Sequence, residues 1–222
     1  MFQNMINGSI AVLTRPSVST FEEHEKDSLQ WAIIYTVIAG VINAVINAAL
    51  APLYASRVNQ QIADLRAQSE AAGGSSELID QMIASLEASA EPNFLGAILG
   101  ALIGTAIGFL IYVGIVYLLG RAFGGSGKFG ELAYDLALFA APLSVAGVLL
   151  NAIPFVGTII GFALGIYNIF LTYLAIQSGM NLDRNKAIYV MVILFVVGFA
   201  LVCGIALLIG GLAAGMGALS GQ

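Results

Sequence analysis

Apolar positions fill four long tracts of this chain, and polar ones are confined to the intervals between them. No Asp, Glu, Lys or Arg occurs in residues 28–56, 92–120, 136–182 or 187–222, tracts of 29, 29, 47 and 36 residues. A helix rising about 1.5 Å per residue needs roughly 20 apolar residues to cross about 30 Å of hydrocarbon. The pattern therefore predicts one crossing in each of the first two tracts, two in the third joined by a tight turn, and one in the last. The expected spans are about 31–54, 94–119, 132–153, 156–177 and 187–210. The runs are continuous rather than alternating segments of about ten residues, which argues against a β-barrel. The expected fold class is all-α: a polytopic membrane protein whose five-helix transmembrane domain occupies 31–222. A 47-residue hairpin that re-enters without crossing is the alternative the pattern leaves open.

The intervals carry helical patterns of their own. Phe2, Met5, Ile6, Ile10 and Leu13 recur at helical spacing before Pro16. They predict that 1–30 is a cytoplasmic amphipathic segment lying in the membrane interface. Thr20 and Glu23 have capping-box spacing. Trp31 and Tyr54 bracket the first crossing, as interfacial aromatics do. In 55–92, Val58, Ile62 and Leu65 share one helical face, and Ile79, Met82, Ile83 and Leu86 share another. Gly73-Gly74-Ser75-Ser76 separates the two and Pro92 closes the second, which predicts an extracytoplasmic helical hairpin between membrane helices 1 and 2.

Composition narrows the class. The chain is 59% hydrophobic and 9% charged, against about 25% charged in ordinary soluble domains. That excludes a soluble globular protein, a disordered chain and a nucleic-acid binder. Arg15, Lys26, Arg121, Lys128, Arg184 and Lys186 fall on one face of a five-pass arrangement, and Arg57 and Arg66 on the other beside several acids. Basic residues favour the cytoplasmic side, so the N-terminus is expected inside and the C-terminus outside. Residues 1–20 hold no apolar run of about 7–15 residues, so the first crossing is expected to be the targeting signal. Cys203 is the single cysteine and has no partner for an intrachain disulfide.

Several motifs look chemical and fail on inspection. Gly124-Gly125-Ser126-Gly127-Lys128 is like a phosphate loop, but Ala122 stands where the first glycine belongs and Phe129 where Ser or Thr belongs. A flexible inside turn is expected there, with no nucleotide. Tyr134-Asp135 is half of an intramembrane aspartyl pair, and that chemistry needs two carboxylates sharing a proton. Glu131 lies one turn away, so the pair is expected to face Arg121 or Lys128. His24, the only histidine, is expected to be a solvated surface residue. No catalytic residue, metal site or cofactor is therefore expected, and the protein is expected not to be an enzyme.

The remaining candidates are polar or small. Asn43, Asn47, Asp135, Asn151 and Asn168 should face the bundle interior, because unsatisfied polar groups in lipid are costly. They either cross-link helices, at about 1 kcal/mol each, or line a polar path or headgroup pocket. Gly96, Gly100, Gly104 and Gly108 form a stripe at intervals of four, as do Gly157, Gly161 and Gly165. Such stripes let helices approach closely in lipid, within the chain or at a dimer interface. Pro142 should kink its helix, and Pro154 with Gly157 suits the outside turn of the third tract's hairpin.

Taken together, a set of segments resembles the Yip1-domain family. They are Leu13-Thr14-Arg15-Pro16, Thr20-Phe21-Glu22-Glu23, Gly124 to Phe129, Tyr134, Ala141-Pro142, Ile153-Pro154-Phe155-Val156-Gly157, Gly161, Tyr167 and Lys186-Ala187. The likeness is to the family's short prokaryotic form, with a longer outside hairpin. It implies five membrane helices, a cytosolic N-terminus and a place in the plasma membrane. Eukaryotic members of that family act in vesicle traffic, bind prenylated Rab GTPases and carry a long cytosolic N-terminal region that is not seen in this sequence, so the Rab-binding role is not expected to transfer. The resemblance supplies no catalytic residues. The expected function is to organise membrane lipids, a protein partner or a homo-oligomer. The alternative is a small-solute or ion transporter or channel that uses the in-membrane asparagines and Asp135.

Overall fold

A computed structural model describes residues 1–71, 77–90, 94–153 and 155–220. Gly73 to Ser76, Pro92 and Pro154 lie outside them. The described residues are helical throughout: α1 (Phe2–Thr14), α2 (Val18–His24), α3 (Leu29–Ala71), α4 (Glu77–Ala90), α5 (Phe94–Ala122), α6 (Phe129–Asn151), α7 (Val156–Met180) and α8 (Arg184–Ser220). Among the described residues, four segments are long and apolar enough to span a bilayer: Leu29–Pro52, Ile98–Ala122, Phe129–Asn151 and Val156–Met180. The expected span 187–210 falls within α8, one helix of 37 residues.

The chain divides into two compact units, Met1–Asn47 with Phe94–Leu194, and Ala48–Asn93 with Phe195–Gln222. In the second, the tail of α3 and α4 are both helical, as the spacing of their apolar residues predicts. Ile62 and Ile83 are buried there, and Arg66 pairs with Glu87 at 2.8 Å. Both charges are exposed, so that pair contributes little, about 0–1 kcal/mol.

The first unit is organised around α6. Half of the apolar window of α6 is buried against protein, compared with less than a third in the other spans. Leu132, Tyr134, Leu136, Leu138 and Phe139 are all fully enclosed. α6 starts at Lys128, whose backbone N–H donates to the Glu131 carboxylate at 2.9 Å. An acid in the first turn also complements the helix dipole. The helix runs unbroken through Pro142.

The N-terminal helices dock on this centre. Met5 and Val12 of α1 and Phe21 of α2 are fully buried. Phe21 meets Phe139 edge-on, with ring centroids 6.1 Å apart. Tyr167 of α7 donates to the Leu13 carbonyl at 2.7 Å, and the Ser9 and Tyr35 hydroxyls are 3.0 Å apart. Of the apolar face read as interfacial, Met5 is buried against protein, Ile6 and Leu13 are half-buried, and Phe2 and Ile10 stay exposed. α2 is capped by Ser17, whose hydroxyl accepts from the Thr20 N–H at 3.1 Å. Thr20, expected to be the cap, instead donates its hydroxyl to the Arg15 carbonyl. His24 is half-buried and its Nδ1 donates to the Thr20 carbonyl at 3.0 Å.

Candidate functional site: a buried acidic pocket beneath the N-terminal helices

Asp135 lies six residues into α6, about 9 Å from the start of the helix. Its side chain is completely buried. Neither carboxylate oxygen has a hydrogen-bond partner among the described residues. The expectation that Asp135 and Glu131 would face Arg121 or Lys128 holds for Glu131 alone. The Lys128 ammonium sits 3.2 Å from Glu131 and 3.1 Å from Asp27 on the exposed rim. These two carboxylates, Asp27 first, push the Lys128 ammonium above its usual range. Arg121 donates to the Gly125 carbonyl at 3.0 Å and lies over the Tyr117 ring. Asp135 is out of reach of both cations because it points inward, toward the end of α7.

That end is built to approach closely. Asn181 adopts the left-handed conformation that closes α7, with φ of 50°. The Leu182 N–H reaches back to the Gln177 carbonyl at 3.1 Å, in a Schellman-type end. Gly179 lies against the Leu132 backbone and the Asp135 carboxylate, where any Cβ would collide with Leu132. Ser178, beside it, is fully buried and faces Asp135 without closing a hydrogen bond.

The glycine-rich segment 124–127 packs on this end of α7. The N–H groups of Ser126 and Gly127 both donate to the Met180 carbonyl, at 3.0 and 3.3 Å. Gly127 meets the Gly179 backbone with no space for a side chain. The expected flexible turn is therefore an ordered strap, anchored by the carbonyls that the end of α7 leaves unpaired.

α2 and the residues after it supply further charge. Glu25, Glu131 and Glu22 are the carboxylates within electrostatic range of Asp135. One Glu25 oxygen is buried without a partner. Burial, then Glu131 and Glu22, raise the Glu25 carboxyl from 4.5 to about 7, against the pull of Lys128. The Tyr134 hydroxyl is also buried and unpartnered. Several buried polar groups here thus have no hydrogen-bond partner among the described residues. No group of three His, Cys, Asp or Glu is gathered at metal-binding spacing among the described residues.

A Yip1 domain family model matches residues 10–206. The chain belongs to the Yip1-domain family. No curated protein and no solved structure matches it. It is an integral membrane protein of the Yip1 type.

Other candidate residues of this Yip1-domain protein lie away from the acidic pocket. Asn43 of α3 donates to the Ser144 hydroxyl of α6 at 3.0 Å, a direct link between two helices. Asn168 contacts Thr172 one turn along α7. Asn47, Asn151 and Asn168 are exposed on the chain rather than enclosed by it. Gly157 is tightly packed against the Leu150 carbonyl. At Gly100, Gly104, Gly108, Gly161 and Gly165 a Cβ would meet nothing within 4 Å among the described residues. These five positions therefore bring no described helix into close contact, in contrast with Gly127 and Gly179. Between α6 and α7 lies a groove of about 460 Å³, lined in part by Ser144, Gly147, Asn151, Thr158, Gly161 and Asn168.

Sequence reasoning reached Asp135 but missed Glu25 and Ser178. Ser178-Gly179 could have been flagged as a small polar pair near the end of an apolar run. Nothing in Glu25 distinguishes it from Glu22 or Glu23 before α2 is docked.

Proposed function

We propose that this Yip1-domain protein is a non-enzymatic organiser of the membrane, gathering lipid or the transmembrane helices of partner proteins. Five crossings, an inside N-terminus and the plasma membrane of a prokaryotic cell complete this reading. The observation that carries it is the groove between α6 and α7. Its hydroxyls and amides sit in helices of membrane-spanning length, where polar groups gain from a partner able to hydrogen-bond. Its glycines leave room for a second backbone or an acyl chain to come close. An apolar molecule with a few polar groups fits these walls best.

Photocrosslinking in native membranes tests this. A photoreactive residue at Leu164, inside the groove, should form one discrete adduct with lipid or protein. The same residue at Ile159, exposed and outside it, should label bulk lipid diffusely. Indistinguishable labelling at the two sites would remove the groove from the argument. Topology is tested by cysteines placed at Ser75 and Ser126 in a Cys203→Ser background, which should react from opposite faces.

A small-solute or ion transporter is the second reading, and the buried, unpartnered Asp135 favours it. Ion flux into proteoliposomes that disappears in Asp135→Asn would put this reading first.

A further inference from the structure

We propose that the pocket around Asp135 is a binding site for a small alkali cation, held by the Asp135 carboxylate, the Ser178 hydroxyl and the inward oxygen of Glu25. The support is a set of buried oxygens without partners among the described residues. Both Asp135 oxygens, Ser178 Oγ and one Glu25 oxygen are buried without a hydrogen-bond partner. They come from three separate segments: α6, the end of α7 and the turn after α2. Buried polar groups are paired in nearly all folded proteins, and an orphaned set of this size asks for a missing partner. Carboxylates can only accept when ionised, and a single serine hydrogen cannot satisfy two of them.

The protein's own cations do not fill the role. Lys128 is engaged by Asp27 and Glu131 on the exposed rim, and Arg121 by the Gly125 carbonyl. Within a membrane helix, an ionisable side chain marks an ion or proton site by default.

The ligand set selects the class of cation. Divalent ions of the calcium type take six to eight oxygens with several carboxylates among them. No three His, Cys, Asp or Glu side chains are gathered at metal-binding spacing here among the described residues. One or two carboxylates with a neutral hydroxyl match a single positive charge. Gly179 makes this workable, because its missing side chain lets the Asp135 carboxylate lie against the end of α7. This inference holds whether the protein organises the membrane or transports a solute, since it concerns occupancy and not movement.

The test uses the purified full-length protein in detergent with N-methylglucamine as the only cation. Radioactive sodium should bind saturably, and sodium should raise the melting temperature read from Trp31 fluorescence at fixed ionic strength. Asp135→Asn should lose the binding yet melt at or above the wild type in sodium-free buffer, because it removes a buried charge. Ser178→Ala, which keeps the carboxylate, should bind roughly tenfold more weakly. Wild-type melting that is identical in sodium, potassium and N-methylglucamine would overturn the proposal and leave water and a proton as the occupants. Undiminished sodium binding by Asp135→Asn would overturn it equally. If Asp135→Asn fails to fold, Ser178→Ala decides: unchanged affinity refutes the site.

Discussion

Replacing Phe21 with alanine should free α2 while leaving α1 and the membrane helices assembled. Phe21 is the only buried side chain of α2, a helix of seven residues. A helix this short has no stability of its own in water, so its position depends on what it buries. Truncating a fully buried phenylalanine costs about 3–5 kcal/mol, of which the edge-on contact with Phe139 supplies roughly 0.5–1.5 kcal/mol. The hydrogen bonds from Tyr167 to Leu13 and between Ser9 and Tyr35 hold α1, at about 1 kcal/mol each. They are too weak to offset the loss at α2. A penalty of that size corresponds to faster local opening by roughly a hundredfold or more. Hydrogen exchange read by mass spectrometry on protein in nanodiscs should show that loss of protection over residues 17–25. Exchange over α6 should barely change. Protection of 17–25 within threefold of wild type would show that Phe21 does not hold α2 down.

Three further outcomes follow from the same geometry. The folded state raises Glu25 to about 7, so it holds a proton that the unfolded chain has already released; stability should fall as pH rises from 4.5 to about 7 and level off above. The full linkage is about 3 kcal/mol, but Glu25 is only half-buried, and solvent screening reduces it to about 1 kcal/mol. Glu25→Gln should flatten that part of a stability–pH curve, and an unchanged slope would assign the effect to another group. Asn43→Leu removes the link to Ser144 and should cost about 1 kcal/mol in detergent melts with no change in any solute flux; lost flux with intact stability would show that Asn43 lines a path. Gly127→Ala should cost about 1–3 kcal/mol because the methyl meets the Gly179 backbone. Gly161→Ala, where the added carbon meets nothing, should be neutral or stabilise by up to about 1 kcal/mol. Equal destabilisation by the two would mean that something outside the chain packs on Gly161.

The membrane-spanning segments were legible because hydropathy is summed along the chain. The tract 136–182 has to fold into helices in lipid whatever its neighbours are, since no water is available there for its backbone. The helices over 55–71 and 77–90 were legible for a similar reason: a period of 3.6 is a local property. The Yip1 likeness rested on short segments, and several of them prove to be contact points. Gly124 to Lys128 is the strap, Tyr167 anchors α1, and Tyr134 and Phe21 are core residues.

Tertiary structure alone decided how the polar groups pair. Asn43, Asn47, Asn151 and Asn168 look alike in sequence, yet among the described residues only Asn43 links two helices. Glu131 and Asp135 lie one turn apart on α6, yet one reaches Lys128 at the rim and the other is enclosed against α7. The glycines divide in the same way, Gly127 and Gly179 being crowded and Gly161 and Gly165 open. The physical reason is range. Transfer of apolar surface from water depends on the residue itself, so its pattern can be read one position after another. A hydrogen bond, an ion pair or a close backbone approach depends on which distant segment arrives opposite, and that is known only once the helices have packed.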